Sequence, residues 1–62
     1  MKTYWCYIKS HGDYPDYDYE FEAQNDAEAI KMMTSDLHEF SIETIKENMA
    51  EVLPNGKYRR IL

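Results

Sequence analysis

The segment from Asp16 to Ala23 alternates between two kinds of side chain without a break. One parity is aromatic or small and apolar, consisting of Tyr17, Tyr19, Phe21 and Ala23. The other parity is wholly acidic, consisting of Asp16, Asp18, Glu20 and Glu22. Because successive strand side chains point to opposite faces of a sheet, the pattern predicts a β-strand with one aromatic face and one acidic face. A helix would scatter both sets around its cylinder and bury carboxylates.

A second strand is predicted near the start of the chain, where residues 3–9 are rich in β-branched and aromatic side chains. Trp5 and Tyr7 share one parity, and the other parity is also apolar, consisting of Tyr4, Cys6 and Ile8. Apolar side chains on both parities favour a central strand, or one whose outer face is partly covered. Residues 10–15 contain glycine, aspartate and proline and form a predicted loop. Because this loop is too short for a parallel crossover, the two strands should pair as an antiparallel hairpin.

Two helices are predicted after the hairpin. Asn25 is a favoured N-cap, and Glu28 stands where a capping-box carboxylate reaches back to the N–H of the cap. Apolar residues then recur every three or four positions, at Ala27, Ile30, Met33, Leu37 and Phe40. This stripe should lie across the aromatic face of the hairpin. Ser41 is expected to cap a second helix, whose stripe is Ile42, Ile45, Met49 and then Val52 or Leu53.

The C-terminal part of the chain contains a turn at residues 53–57, with a Pro-Asn-Gly sequence. Two alternatives precede it: the second helix ends there, or residues 50–53 form a short strand hairpinned to residues 57–62. The final segment is predicted to be a strand beside the first, with Tyr58 as an inward anchor. The chain is therefore expected to be one α+β domain over residues 1–62, a small antiparallel sheet with two helices on one face, in the order β-β-α-α-β.

Charge and cysteine content limit the classes of partner. The net charge of −5 argues against nucleic-acid binding through phosphate neutralisation, and it fits a protein partner with a basic surface. No apolar run approaches the roughly 18 residues of a membrane helix. The residues after Met1 are too aromatic, and their apolar run too short, for a secretory h-region, and Cys6 is unpaired. These features predict a cytoplasmic protein without a membrane partner.

Catalytic, metal and cofactor chemistry find little support in the sequence. The acidic residues from Asp13 onward resemble a calcium loop only in composition, because strand carboxylates diverge and the loop glycine and flanking helices are missing. Cys6 lies in a predicted strand among aromatic residues, where burial makes a thiol inert. His11 and His38 are expected at the surface, in a loop and near a helix end. The chain is predicted to be no enzyme and to hold no metal or cofactor.

The acidic strand face is the strongest candidate for a functional surface. Its non-functional interpretation is a solvated sheet face, whose charges also discourage edge-to-edge aggregation. Its functional interpretation is a docking surface for a basic protein, because a face built only for solubility usually mixes Lys with Glu. Trp5 and Tyr7 would act as aromatic anchors if they lie opposite the helices. If the last strand lay near the acids, its basic residues would neutralise them, namely Lys57, Arg59 and Arg60.

Two functions are therefore expected, in this order. The first is a non-enzymatic interaction module that docks a basic protein through Asp16, Asp18, Glu20 and Glu22, with Trp5 and Tyr7. The second is a structural or accessory homodimer whose acidic face provides only solubility. In size and charge alone, the chain resembles short acidic proteins of phages and mobile elements, including regulators and inhibitors that mimic the charge of DNA. No residue role carries over from so general a resemblance.

Overall fold

The computed structural model describes residues 1–9, 12–13 and 15–62. Its strands are β1 (Lys2–Ile8), β2 (Tyr17–Ala23), β3 (Met49–Val52) and β4 (Tyr58–Arg60). Its helices are α1 (Asp26–Asp36) and α2 (Ile42–Glu47). The predicted hairpin loop is described only in part, since Ser10, His11 and Tyr14 lie outside these ranges. The surface position expected of His11 therefore also lies outside the described residues.

The described strands form one antiparallel sheet in the order β2-β1-β3-β4. The predicted α+β class, with a small antiparallel sheet and two helices, is confirmed. The predicted place of the last strand is wrong, because β3 lies beside β1 and β4 lies beside β3. The reason is that β3 pairs with β1 as soon as α2 ends, and the short turn after β3 returns β4 along the free edge of β3.

Of the two alternatives predicted for residues 50–53, the structure shows the strand, as part of β3. Helix α2 ends at Glu47, and its cap residue Asn48 donates its backbone N–H to the carbonyls of Ile45 and Lys46. The Asn48 side-chain amide also donates to the Thr44 carbonyl at 2.8 Å. Met49, assigned to the helix stripe by periodicity, is instead the first residue of β3 and is buried. The last β element of the predicted order therefore consists of two strands, β3 and β4, which form a hairpin.

The turn between β3 and β4 has the hydrogen bonds that its sequence predicts. Gly56 donates its N–H to the Leu53 carbonyl at 3.0 Å, and Leu53 donates to the Lys57 carbonyl at 2.8 Å. Gly56 has φ +83°, a left-handed conformation that side chains rarely adopt. The Asn55 side chain accepts the Lys57 N–H at 3.0 Å. The turn thereby returns β4 antiparallel to β3 with little loop.

Both helix caps are confirmed, with one difference in detail. Asn25 accepts the Glu28 N–H at 2.9 Å, and Ser41 accepts the Thr44 N–H at 3.2 Å. The Glu28 carboxylate reaches back to the N–H of Gln24 at 3.1 Å, one residue before the cap. These bonds satisfy backbone donors that the first turn of each helix leaves without an intrahelical partner.

The core lies between the helices and one face of the sheet. Its buried residues are Tyr4, Cys6, Ile8, Ala23, Ala29, Met33, Leu37, Ile45 and Met49. The apolar stripe predicted for the first helix is wrong at one position, since Ala29 is buried whereas Ala27 is exposed. Its other residues are buried or pack against the core, namely Ile30, Met33, Leu37 and Phe40. The aromatic face of β2 is covered only in part: Tyr17 and Phe21 pack against the core, but Tyr19 is 44% exposed. Because β2 is an edge strand, the helices do not extend fully over it.

Candidate functional site

The sheet face opposite the helices, here called the outer face, collects the predicted site residues. Tyr4, Cys6 and Ile8 point into the core, so the alternate residues Trp5 and Tyr7 of β1 must point outward. The register of β2 with β1 puts Asp18, Glu20 and Glu22 on this same face, and Asp16, which directly precedes β2, accepts the hydroxyl of outward-pointing Tyr7. We call these acidic residues the acidic row, defined as Asp16, Asp18, Glu20 and Glu22. All six predicted site residues therefore meet on one surface.

The register sets which acid lies beside which aromatic residue. Trp5 is directly opposite Glu20, and Tyr7 is directly opposite Asp18. Directly paired residues on one sheet face have Cβ atoms about 4.5–5.5 Å apart. Asp18 and Glu20 consequently lie directly beside the aromatic residues of β1, whereas Glu22 lies opposite Thr3.

Two hydrogen bonds join the aromatic residues to the acidic row. The Trp5 indole Nε1–H donates to Asp18 Oδ1 at 2.6 Å, and the Tyr7 hydroxyl donates to Asp16 Oδ2 at 2.8 Å. The bond to Asp16 raises the pKa of Tyr7, because the carboxylate favours the protonated phenol. Both bonds are charge-assisted, so they orient the rings more firmly than contact alone would.

A third aromatic residue, Tyr58, lies beside Trp5 and Tyr7 on the outer face, contrary to the sequence-based prediction. Tyr58 was expected to point inward, but it lies on the outer face and is 57% exposed. The reason is register: Tyr58 pairs with Val52, which pairs with Thr3 on the outward parity of β1. The Trp5 ring lies 5.4 Å from the Tyr58 ring and 5.9 Å from the Tyr7 ring, centroid to centroid. We call Trp5, Tyr7 and Tyr58 the aromatic cluster.

A shallow concavity of about 400 Å³ lies along the aromatic cluster. Ala50 of β3 lies directly beside Trp5 and Arg60 in the sheet, and its small side chain leaves room between larger neighbours. Arg60 and Glu47 also line the concavity, and an Arg60 guanidinium N–H donates to the Glu47 carbonyl at 3.3 Å. The outer face is thus acidic along β2, aromatic at its centre and basic at the β4 edge.

The basic residues of β4 do not neutralise the acidic row. Two strands separate β4 from β2, which amounts to about 14 Å at the usual interstrand spacing. Arg59 points to the other face, where it forms ion pairs with Asp26 at 2.7 Å and Glu51 at 2.8 Å. In the described part of the chain, no ion pair reaches Asp18, Glu20 or Glu22.

The polar cluster around Asp26 was missed by the sequence reasoning. Asp26 Oδ1 accepts the hydroxyl of buried Tyr4 at 2.7 Å as well as the Arg59 guanidinium. The bonds from Tyr4 and Arg59 lower the pKa of Asp26, and burial together with the Asp26 carboxylate raises the pKa of Tyr4 to about 12. The sequence signal for this cluster is an acidic residue in the first turn of a helix, but that position by itself predicts only a favourable interaction with the helix dipole. The cluster ties β4 to α1 and β1, which is a structural role.

The residues considered for catalysis are not brought together. Cys6 is buried, and burial raises the pKa of its thiol to about 11. His38 is exposed, and its side chain meets Glu39 at 4.0 Å. Among residues 1–9, 12–13 and 15–62, no three acidic, histidine or cysteine side chains converge as a metal site would require. Within the same residues, no helix has the length and apolarity needed to cross a membrane.

No known protein family, curated protein or solved structure matches the chain. Three properties of the outer face bear on function: one sign of charge along β2, an oriented aromatic cluster beside it, and no covering helix. Aromatic residues at the centre of a patch and polar residues at its rim are common at protein interfaces.

Proposed function

We propose that this protein is a non-enzymatic interaction module that binds a basic surface of another protein through its outer face. The acidic row supplies long-range attraction and orientation, and the aromatic cluster supplies the buried centre of the contact. The proposed setting is the cytoplasm, where an unpaired cysteine is ordinary.

The observation that carries this proposal is the acidic row beside the aromatic cluster on a face that neither helix covers. Residues on alternate positions of a strand lie about 6.5–7 Å apart, so the carboxylates of the row repel one another. A basic partner removes that repulsion, and a mixed-charge surface would not need one. Trp and Tyr are the residue types that most often dominate binding energy at protein interfaces.

The size of the face indicates what kind of complex to expect. The strands β2, β1, β3 and β4 have seven, seven, four and three residues, which at about 3.4 Å per residue and 4.8 Å between strands give a flat footprint of roughly 340 Å². Stable complexes bury about 800 Å² on each partner. The complex should therefore be transient and strongly dependent on electrostatic attraction, with fast association that slows as salt is added.

The test compares bait proteins in a pull-down from lysate of the cells that make the protein. The variant reverses two charges of the acidic row, Asp18→Lys with Glu20→Lys. The matched control reverses two exposed charges on the helical side, Asp36→Lys with Glu43→Lys, so the net charge changes equally. Circular dichroism of all three baits first establishes that they share one fold.

The proposal expects a partner that wild type and the control retain, that the acidic-row variant loses, and that moderate salt weakens. A partner retained equally by all three baits would show that the acidic row serves only solvation. Loss by both variants would mean that net charge, and not this face, governs the interaction. Either result would contradict the proposal.

A further inference from the structure

We propose that the partner presents an arginine whose guanidinium stacks on the Trp5 indole and pairs with the Glu20 carboxylate. This inference rests on the proposed function and adds the chemistry of the recognised residue. The occupant of the outer face is thus an arginine-containing basic segment of another protein.

The first support is the placement of Glu20 beside Trp5. The two residues are directly opposed in the antiparallel register and share the outer face. The Glu20 side chain forms no ion pair or hydrogen bond within the described part of the chain, and Glu20 is exposed. A cation above the indole therefore has a carboxylate within one side-chain length.

The second support is the way the indole is held. Its N–H donates to Asp18 at 2.6 Å, which fixes the ring edge on the side of β2. Trp gives the strongest cation–π attraction of the aromatic residues, and donation of its N–H to an anion makes its face more electron-rich. Tyr7 and Tyr58 flank the ring, so the platform is already in place before a partner binds.

The third support is the asymmetric charge of the outer face. Arg60 lies at the β4 side of the concavity, where it repels an incoming cation, and Glu47, which also lines the concavity, offsets part of that repulsion. Asp18 and Glu20 lie at the β2 side, where they attract it. The favourable place for a cation is therefore the part of the indole that faces β2.

Arginine fits this place better than lysine for geometric reasons. Its guanidinium is planar, stacks on aromatic rings and pairs with a carboxylate through two parallel hydrogen bonds. It is also less strongly hydrated than an ammonium group, so it loses less on leaving water. A lysine would gain the charge attraction but not the stacking or the bidentate geometry.

The test uses Trp5 as reporter, because it is the only tryptophan of the chain. The protein is titrated at low salt with a capped peptide of alternating glycine and arginine, and separately with its glycine–lysine counterpart of equal length. We expect the arginine peptide to change the Trp5 fluorescence and to bind about fivefold more tightly than the lysine peptide.

Matched variants locate the site. Glu20→Gln should weaken the arginine peptide about fivefold or more, whereas Glu43→Gln, an exposed change on α2, should leave its affinity unaltered. Tyr7→Leu should reduce the preference for arginine over lysine, and Tyr19→Leu, on the opposite face of the sheet, should not.

Equal affinity for the two peptides would overturn the arginine inference. If Glu20→Gln then weakened both, general docking of basic groups at the acidic row would still stand. Failure of the arginine peptide to bind at millimolar concentration would also overturn the inference. The pull-down decides the proposed function independently, so the two failures are distinguishable.

Discussion

Tyr4 and Cys6 show how the core changes the chemistry of single residues. Both side chains are fully buried on the inward parity of β1. Burial raises the thiol pKa from 9.0 to about 11, and burial with Asp26 raises the phenol pKa from 10.0 to about 12. The proton is therefore held more tightly in the folded state than in the unfolded chain, and neither residue is prepared to act as a nucleophile at neutral pH.

The raised pKa values predict instability in alkali. For a group whose folded pKa is higher, the stabilisation is complete below the unfolded pKa and is lost as pH rises through the folded pKa. The free energy of unfolding should thus fall from about pH 9 for Cys6 and from about pH 10 for Tyr4. Urea unfolding at several pH values measures this. Tyr4→Phe should flatten the fall above pH 10, with Tyr19→Phe as the matched control; an unchanged fall would refute the role of Tyr4.

At the scale of elements, α1 depends on its ends more than on its interior. It has two buried residues, Ala29 and Met33, and no basic residue in its last turn. Its first turn is well organised, since Asn25 caps the helix and Asp26 connects it to β1 and β4. An 11-residue helix is marginal by itself, so its N-terminus should matter to its stability.

Loss of the α1 cap should destabilise the whole domain. Asn25→Ala removes the acceptor for the Glu28 N–H, and we expect a decrease of about 1 kcal/mol in the free energy of unfolding. Ser35→Ala, an exposed change inside the same helix, is the control and should be neutral or slightly stabilising. Thermal and urea unfolding measure both. An equal effect of the two substitutions would mean that the cap bond contributes nothing specific.

At the scale of the molecule, charge is divided between the two faces of the sheet. The inner-face arginine of β4 is neutralised by Asp26 and Glu51, whereas on the outer face no ion pair between described residues reaches Asp18, Glu20 or Glu22. With a net charge of −5, two copies repel each other, and most strongly if their acidic rows meet. The uncovered aromatic cluster opposes that repulsion.

The protein should therefore be monomeric at physiological salt and tens of micromolar concentration. Sedimentation equilibrium tests this directly, with a second measurement near 1 M salt, where the Debye length is about 3 Å and repulsion is screened. A dimer at low salt that Trp5→Gln disrupts would contradict the expectation. It would favour the alternative function, a homodimer joined through the aromatic cluster.

The two halves of the chain differ in how far the sequence alone predicts them. The hairpin pattern predicted β2 and the acidic row, because strict alternation has one structural solution. Periodicity misassigned Met49, since a six-residue helix and a short strand offer too few positions to separate a period of 3.6 from one of 2. It misassigned Ala27 in α1 because Ala29 is equally small and apolar and is spaced by four from Met33, so that packing decides which alanine is buried. The prediction for Tyr58 was wrong because the register of a three-residue strand decides which side chains point outward, and local sequence does not encode that register.

By itself, the sequence determined the local features whose causes are local: the alternation of β2, the caps Asn25 and Ser41, and the turn at Gly56. Only the tertiary structure decided the strand order, and with it the distance between the acidic row and the arginines of β4. It also decided that Tyr58 joins Trp5 and that Tyr4, Asp26 and Arg59 meet. These contacts join residues far apart in the chain, so they depend on which pairing buries the most apolar surface, a property of the whole fold.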